Sequence, residues 1–290
     1  DYNHYAQTYS QFYDAPPGAV YIGSECDGVD LIDCDFGENF TFGNGGAVEA
    51  YSDSRFERCT FGGNRSEVSG GAVFSDARQL FAGSPIPQLT FADCTFRENE
   101  ANEGGAVYFH TTQGTFEDCH ILANTAHNGG GLSLADTWVD IRGGSISANV
   151  ASSYDAQGGG IAAFGTTLSL ADCALQGNRA EGRESFGGAL CAFGGDGQVV
   201  HQEVTNCLFT ANTSEGFGGA VAARMRTEIE LTNCTFAANT AGQAGGGVFG
   251  DWAAFPVLTD CILVGNAPYA VYEEPIGYAP LPRGDATLAY

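Results

Sequence analysis

A short phrase recurs nine times along the chain: an apolar residue, two spacers, cysteine, one spacer, an apolar residue, two spacers and asparagine. Phe91–Cys94–Phe96–Asn99 is one copy, and in Ile141–Gly144–Ile146–Asn149 a glycine replaces the cysteine. A second phrase, Gly-Gly-Ala/Gly-apolar, follows eight of these asparagines. A repeat of roughly 25 to 35 residues, made of short apolar segments and glycine turns, is typical of a solenoid.

The repeats contain strands rather than helices. Each has two or three segments in which apolar and polar residues alternate, and these segments are short and rich in Val, Ile, Phe and Thr. Cys94 and Phe96 are two residues apart, so they face the same side of a strand. The sequence therefore predicts an all-β fold, a single parallel β-helix of about nine to ten coils, on the order of 45 Å long at ~4.8 Å per coil.

The repeats divide the chain into three parts. An N-terminal tail (1–17) precedes the β-helix (18–266), and a tail rich in Pro and Tyr (267–290) follows it. Tyrosine-rich extended segments supply a large contact area at modest entropic cost, which makes both tails candidates for self-assembly contacts. The tyrosines concerned are Tyr2, Tyr5, Tyr9, Tyr13, Tyr269, Tyr272, Tyr278 and Tyr290.

The asparagine and glycine columns are expected to be structural. Asparagine tolerates the left-handed backbone conformation at tight turns, and stacked copies can form a ladder of amide hydrogen bonds. The glycine pairs supply positive φ angles and close backbone approach at a corner.

Eight of the ten cysteines occupy the ladder position: Cys34, Cys59, Cys94, Cys119, Cys173, Cys207, Cys234 and Cys261. They are either small buried thiols in a corner too tight for leucine or disulfides between successive coils, whose spacing suits the bond. The disulfide pairs would be Cys34–Cys59, Cys94–Cys119, Cys173–Cys207 and Cys234–Cys261. Cys26 precedes the first repeat and Cys191 is expected to face away from the core, so these two are candidates for cross-links between molecules.

The composition is strongly acidic. Thirty-five acids face eleven basic residues, none of them lysine, for a net charge of −24. Such a chain lacks the basic stripe that nucleic-acid binding requires, and acidic polysaccharides or anionic membranes would need bridging cations. No stretch of apolar residues is long enough to predict a membrane span. The chain begins at Asp1 without a basic and apolar leader, which favours a mature secreted form.

An acidic residue precedes five of the ladder cysteines: Asp33, Asp93, Asp118, Asp172 and Asp260. Neighbouring coils place such side chains ~5 Å apart, so Asp93 and Asp118 should repel each other unless hydrated or bridged. Ca²⁺ between coils is one possible bridge and the only cofactor that the sequence suggests.

Many parallel β-helices are polysaccharide lyases or hydrolases. A lyase of this fold needs a basic proton acceptor beside calcium carboxylates, and a hydrolase needs clustered aspartates with a histidine and a basic residue. The five histidines, His4, His110, His120, His127 and His201, show no such grouping in the sequence. We therefore expect no catalytic, cofactor-binding or metal-ligating residues, and no enzymatic activity.

The Gly-Gly-Ala-apolar and Phe-x-x-Asn phrases resemble the repeats of the polymorphic outer-membrane proteins of chlamydiae and related bacterial surface proteins, over about residues 18 to 266. The resemblance implies a right-handed parallel β-helix displayed outside the cell, typically as an adhesin.

The open strands at the ends of such a rod are templates for head-to-tail pairing, and a contact that does not close produces a filament. The predicted function is a secreted structural subunit that assembles with itself into an extracellular or cell-surface filament. The alternatives are a monomeric surface adhesin that binds a glycan of a host or neighbouring cell and, third, a polysaccharide lyase or hydrolase.

Overall fold

A computed structural model describes residues 18–26, 28–81, 83–195, 199–251 and 253–273, and the backbone of residues 288–289. The chain forms a right-handed parallel β-helix of about nine turns, which confirms the predicted fold class. Within the described residues the single helical element is a 3-10 turn at Ala77–Gln79.

Three long parallel sheets form the faces of the rod, and each coil contributes one strand to each sheet. Sheet A consists of Val20–Ile22, Val48–Ala50, Val73–Asp76, Val107–His110, Leu132–Ala135, Ile161–Phe164, Leu190–Phe193, Val221–Arg224, Val248–Gly250 and Val271–Glu273. Sheet B consists of Val29–Ile32, Ser54–Glu57, Gln88–Ala92, Gln113–Glu117, Trp138–Arg142, Thr167–Ala171, Val200–Thr205, Thr227–Thr232, Phe255–Thr259 and Leu288–Ala289. Sheet C consists of Asp35–Gly37, Thr60–Gly62, Thr95–Arg97, His120–Leu122, Ser145–Ser147, Ala174–Gln176, Leu208–Thr210, Thr235–Ala237 and Ile262–Val264.

Shorter strands extend some coils beyond sheet C. They are Thr125–Ala126, Val150–Ser152, Arg179–Glu181, Thr213–Ser214 and Thr240–Ala241 in one sheet, and Phe40–Thr41 with Arg65–Ser66 in another.

The core consists of side chains that stack on their copies in the next coil. Phe56 pairs in register with Phe91, and their rings are parallel at 4.8 Å. Phe61 and Phe96 stack in the same way at 4.6 Å. These rings are fully buried, so the repeat supplies a continuous apolar column without a single globular centre.

The corners on either side of sheet C are formed by residues in the left-handed conformation. Asp118 (φ 50°) precedes Cys119, and Ala123 (φ 55°) precedes Asn124. The expectation that the ladder asparagines themselves adopt this conformation was wrong, because the turn requires it one residue earlier. The frequent Asp and Asn before the cysteines fit this position, since short polar side chains tolerate positive φ.

The asparagines nevertheless form the expected amide ladder. Asn124 Oδ1 accepts from the backbone N–H and the side-chain amide of Asn99, at 2.9 and 2.8 Å. Asn124 Nδ2 donates to Asn149 Oδ1 at 2.9 Å and to the Phe96 carbonyl at 3.1 Å. Each inner asparagine thus satisfies its own amide and one backbone N–H of the previous coil.

As predicted, the first glycine of each pair supplies a positive φ angle and the second allows close approach of the backbone of the next coil. Gly104 adopts a φ of 64°, and a Cβ on Gly105 would lie 2.1 Å from the carbonyl oxygen of Gly130 in the next coil. Any side chain at the second position would therefore separate the coils.

The β-helix continues past residue 266. Val271–Glu273 pairs with Val248–Gly250 as the last strand of sheet A, although this segment was assigned to the C-terminal tail. The backbone of 288–289 then pairs with Leu258 and Thr259 in sheet B. Part of the tail therefore lies on the chain's own rod.

Candidate functional site

The outer side of sheet A carries a second layer of packed side chains. Phe74 and Ala162 point away from the main core, yet both are buried. The segment before each Gly-Gly pair runs beside this face, and isolated bridges link it from coil to coil, as between Phe186 and Phe217. We call this surface the outer strip. Its polar half comprises Glu49, Tyr51, Phe74, Asp76, Glu103, Tyr108, His110 and Asp136, and its aromatic half comprises Phe164, Phe186, Phe193, Phe217, Arg224, Phe249 and Tyr272.

His110 lies between two aspartates of neighbouring coils. Its Nε2 is 3.5 Å from Asp136 Oδ2, and its Nδ1 is 3.9 Å from Asp76 Oδ1 and 2.9 Å from Thr111 Oγ1. Arg78 donates to both carboxylate oxygens of Asp76, at 3.0 and 2.7 Å. The expectation that no histidine gathers with acids and a basic residue was therefore wrong for His110. The sequence concealed the group because its members come from three different coils.

Burial has the largest effect on the pKa of His110 in this group. It lowers the pKa of His110, and the Arg78 guanidinium adds to that effect, whereas the two aspartates oppose it. The side chains of Asp76 and His110 are only 6 % and 11 % exposed, whereas that of Asp136 is 66 % exposed. Of the two carboxylates, that of Asp136 is therefore the one that faces solvent.

Two further acids of the polar half are largely buried. Glu103 accepts hydrogen bonds from Asn128 Nδ2 at 3.0 Å and from Ser133 Oγ at 3.3 Å. The Tyr51 hydroxyl donates to Glu49 Oε1 at 2.5 Å. Burial raises the pKa of both Glu49 and Glu103, and these hydrogen bonds oppose the shift. Several ionisable groups with pKa values shifted by burial on one surface are typical of a functional site.

The aromatic half begins where phenylalanine replaces the polar residue before Gly-Gly. The rings of Phe186 and Phe217 stack at 5.1 Å, Phe249 lies 4.9 Å from Phe217, and Tyr272 lies 6.0 Å from Phe249. The Arg224 guanidinium sits 3.6 Å from the centre of the Phe186 ring. Cation–π attraction therefore holds the one basic group of this half against the rings.

A second row of rings borders the same half. Phe164 and Phe193 lie 6.0 Å apart, and Arg224 also approaches the Phe193 ring at 5.3 Å. Phe164, Phe186, Phe193 and Phe217 are all partly exposed. The strip thus offers apolar ring surfaces that recur with the coils, bordered by hydrogen-bonding groups.

A family model described as the right handed beta helix region matches residues 106–274, more than half of the chain. The chain belongs to the right-handed β-helix family. No curated protein and no solved structure gave a significant match. This β-helix protein contains, in its described residues, no helix long and apolar enough to cross a bilayer.

The ladder cysteines of the β-helix form one column at the corner between sheets B and C. Cys94 Sγ donates to the Ala92 carbonyl at 3.3 Å and to the Phe56 carbonyl of the preceding coil at 3.5 Å. Six of the eight are buried, and Cys34 and Cys261 at the two ends are half-buried. All are free thiols in this structure, which matches the small-hydrophobe interpretation; the disulfide pairing stays a prediction. Gly144 departs from the column because its φ of 70° would put a Cβ 2.0 Å from the Cys119 carbonyl oxygen.

The two cysteines outside the ladder differ in accessibility. Cys26 is exposed and stays a candidate for cross-linking. Cys191 faces away from the main core, as expected, but it is buried beneath the outer strip with Phe249 and Ala222. Burial raises its pKa to about 12, so its thiol is neither accessible nor reactive in the folded protein.

The tyrosines assigned to self-assembly divide into two groups. Tyr269 and Tyr272 lie against each other, with ring centres 6.0 Å apart, on the last coil of their own rod. Tyr2, Tyr5, Tyr9, Tyr13, Tyr278 and Tyr290 lie outside the described residues.

The acidic column before the cysteines occupies the left-handed corner positions. Arg58 bridges to Asp33, with Nε 2.7 Å and Nη2 3.0 Å from its carboxylate oxygens, and Asn206 donates to Asp172 at 3.1 Å. In the described ranges no three His, Cys, Asp or Glu side chains converge in a geometry suited to a metal ion. Calcium binding stays an untested expectation.

The sequence contains a signal for the outer strip that is separate from the repeat motifs. The residue after the inward apolar column should be polar on an open face, but in several coils it is aromatic or small, as in Phe74, Tyr108, Cys191 and Phe249. Apolar residues on both sides of a strand indicate a strand covered on both faces.

Proposed function

We propose that this protein is an extracellular, surface-displayed β-helix that binds a neutral glycan chain along the outer strip without catalysing a reaction. The observation that carries the proposal is the aromatic half of the strip. Its partly exposed rings recur from coil to coil, and sugar rings present flat C–H faces that pack on such surfaces. An extended polymer of repeating units can therefore contact several coils at once. The resemblance to bacterial surface adhesins supports the same interpretation.

Charge favours a neutral ligand over an acidic one. The chain carries a net charge of −24 and has no lysine. Within the strip, the exposed carboxylate of Asp136 would repel a polyanion, whereas it accepts hydrogen bonds from sugar hydroxyls. Nucleic acid and acidic polysaccharides are disfavoured for the same reason.

The hydrogen bonds and ion pairs already formed within the polar half favour binding over catalysis. Both oxygens of Asp76 are held by Arg78, and His110 Nδ1 contacts Thr111. A general acid and a general base must both reach the substrate. The side chains of Asp76 and His110 are almost fully buried, so they cannot take these roles. Asp76, Arg78 and His110 therefore stabilise the structure of the strip.

The test is affinity electrophoresis through gels that contain individual neutral polysaccharides. A Phe164→Ala/Phe193→Ala variant is expected to lose at least about tenfold in affinity, because both rings border the exposed row. Tyr154→Ala is the matched control, since this tyrosine is 69 % exposed in a turn outside the strip. Equal retardation of a folded double variant and the wild type, or no retardation of the wild type in any neutral polysaccharide, would contradict the proposal. Release of reducing ends during incubation would contradict the non-catalytic part alone.

A head-to-tail filament is the second candidate. Sheet C ends at Asp35–Gly37 and at Ile262–Val264, and among the described residues each of these strands pairs with a strand on one side. Ile262 and Val264 are 61 % and 57 % exposed, and an exposed apolar edge strand is a template for pairing with another chain. Electron microscopy of the intact protein, with deletion of 1–17 or 274–290, tests this candidate. Single rods at high concentration would refute it.

A further inference from the structure

A second cluster with binding chemistry lies on the outer face of sheet B, around the corner from the outer strip, since Asp136 of the strip and Trp138 of the cluster are two residues apart. In the strand Trp138–Arg142, Val139 and Ile141 point into the core and are 0 % and 3 % exposed. The alternate residues Trp138, Asp140 and Arg142 therefore project outwards side by side. Trp138 is 45 % exposed, which is unusual for so large an aromatic side chain. We call these three residues the Trp138 patch.

The carboxylate of the patch is incompletely paired. Asp140 Oδ2 accepts from Arg142 Nε at 2.9 Å, but Oδ1 is shielded from solvent and has no hydrogen-bond partner among the described residues. The Asp140 side chain is only 10 % exposed although it projects from the outer face of a sheet. A shielded carboxylate oxygen without a donor destabilises the free protein, so a sugar hydroxyl that displaces the side chains covering Oδ1 and donates to it recovers this cost.

The neighbouring strands surround the patch with small polar side chains. Gln113 and Thr167 flank Trp138 in register, and Thr115 and Ser169 flank Asp140. Gln113 Oε1 accepts from Gln88 Nε2 at 2.8 Å, which orients the Gln113 amide and leaves its N–H groups as donors. The Arg142 side chain is 65 % exposed, so the outer N–H groups of its guanidinium are open to a ligand while its Nε stays paired with the buried Asp140 carboxylate.

We propose that the Trp138 patch binds a single neutral pyranose, such as a terminal or branch sugar of a glycan. The C–H face of the sugar packs on the indole ring of Trp138. One sugar hydroxyl donates to Asp140 Oδ1, and the Arg142 guanidinium and the Gln113 amide donate to neighbouring sugar oxygens. This inference goes beyond the binding proposed for the outer strip, because it concerns another face of the rod and one sugar instead of an extended chain.

Tryptophan fluorescence tests the inference directly. The chain has two tryptophans, Trp138 and Trp252, so a Trp252→Phe variant reports on the patch alone. Titration with a panel of methyl pyranosides is expected to give a saturable shift of the emission for at least one sugar, with reduced quenching by acrylamide. Asp140→Ala in the same background is expected to weaken that sugar at least about tenfold, whereas Tyr154→Ala leaves it unchanged. No saturable change with any sugar, or an unchanged affinity in Asp140→Ala, overturns the inference.

A second measurement covers the case in which Trp252→Phe does not fold. Saturation-transfer NMR with the same panel compares the wild type with Trp138→Ala, which keeps Trp252. Loss of transfer in Trp138→Ala supports the patch, and equal transfer in both proteins overturns it. The Phe164→Ala/Phe193→Ala variant separates the two surfaces, because it removes binding by the strip and leaves the response of Trp138 intact.

Discussion

Replacing Asn124 by alanine tests whether the amide ladder stabilises the rod. Asn124 is fully buried, and its Oδ1 is the acceptor for two N–H groups of Asn99, at 2.9 and 2.8 Å. Alanine removes this acceptor, so the backbone N–H of Asn99 is left buried without a partner and Asn99 Nδ2 keeps only its bond to the Phe61 carbonyl at 3.0 Å. Each orphaned N–H costs about 1–3 kcal/mol, so the free energy of unfolding should fall by about 2–6 kcal/mol.

Asn39 at the first coil is the matched control. It is half-buried, and alanine there removes, among the contacts of the described residues, the bond from its Nδ2 to Asn64 Oδ1, whereas the backbone N–H still donates to that oxygen. We expect a loss of about 0.5–1.5 kcal/mol.

The assay is urea denaturation followed by circular dichroism, with the slope of the transition compared between variants. The reasoning fails if Asn124→Ala and Asn39→Ala shift the stability equally. It also fails if Asn124→Ala costs less than about 1 kcal/mol, since the orphaned donors would then have found other partners.

Two further predictions concern single positions. Gly144→Cys restores the repeat pattern but should destabilise the protein by about 2–4 kcal/mol, because φ is 70° and the new Cβ would meet the Cys119 carbonyl at 2.0 Å; unchanged stability in urea would contradict this. Burial raises the pKa of Glu103 above its unfolded value of about 4.3, so the stability that its protonation contributes is present below that pH and is lost as pH rises through the folded pKa. Glu103→Gln should therefore be more stable than the wild type at pH 7 and lose this advantage near pH 4, as urea midpoints at both values will show; a constant difference would contradict the assignment.

The strip and the Trp138 patch illustrate what sequence reasoning left out. Trp138, Asp140 and Arg142 alternate with the core residues Val139 and Ile141 on one strand, so periodicity places them on a common face, but the unpaired Asp140 Oδ1 depends on how the side chains pack over the sheet. The approach of His110 to Asp76 and Asp136 follows from the register of three successive strands of sheet A, in which His110 pairs with Asp76 on one side and with Ala135 on the other.

The repeat pattern of the sequence is sufficient to specify the coil, its register and its core. Each apolar, cysteine and asparagine position recurs at nearly the same place in every repeat and stacks on its copy in the next coil, so local spacing is sufficient to specify these columns. The second layer of side chains on sheet A depends on tertiary packing. In this layer Phe186, Phe217 and Ala244, each of which precedes a Gly-Gly pair, pack with Cys191, and Glu103, which precedes another pair, lies beside Ser133. That packing joins side chains from different positions in the repeat, and no column of identical residues records it.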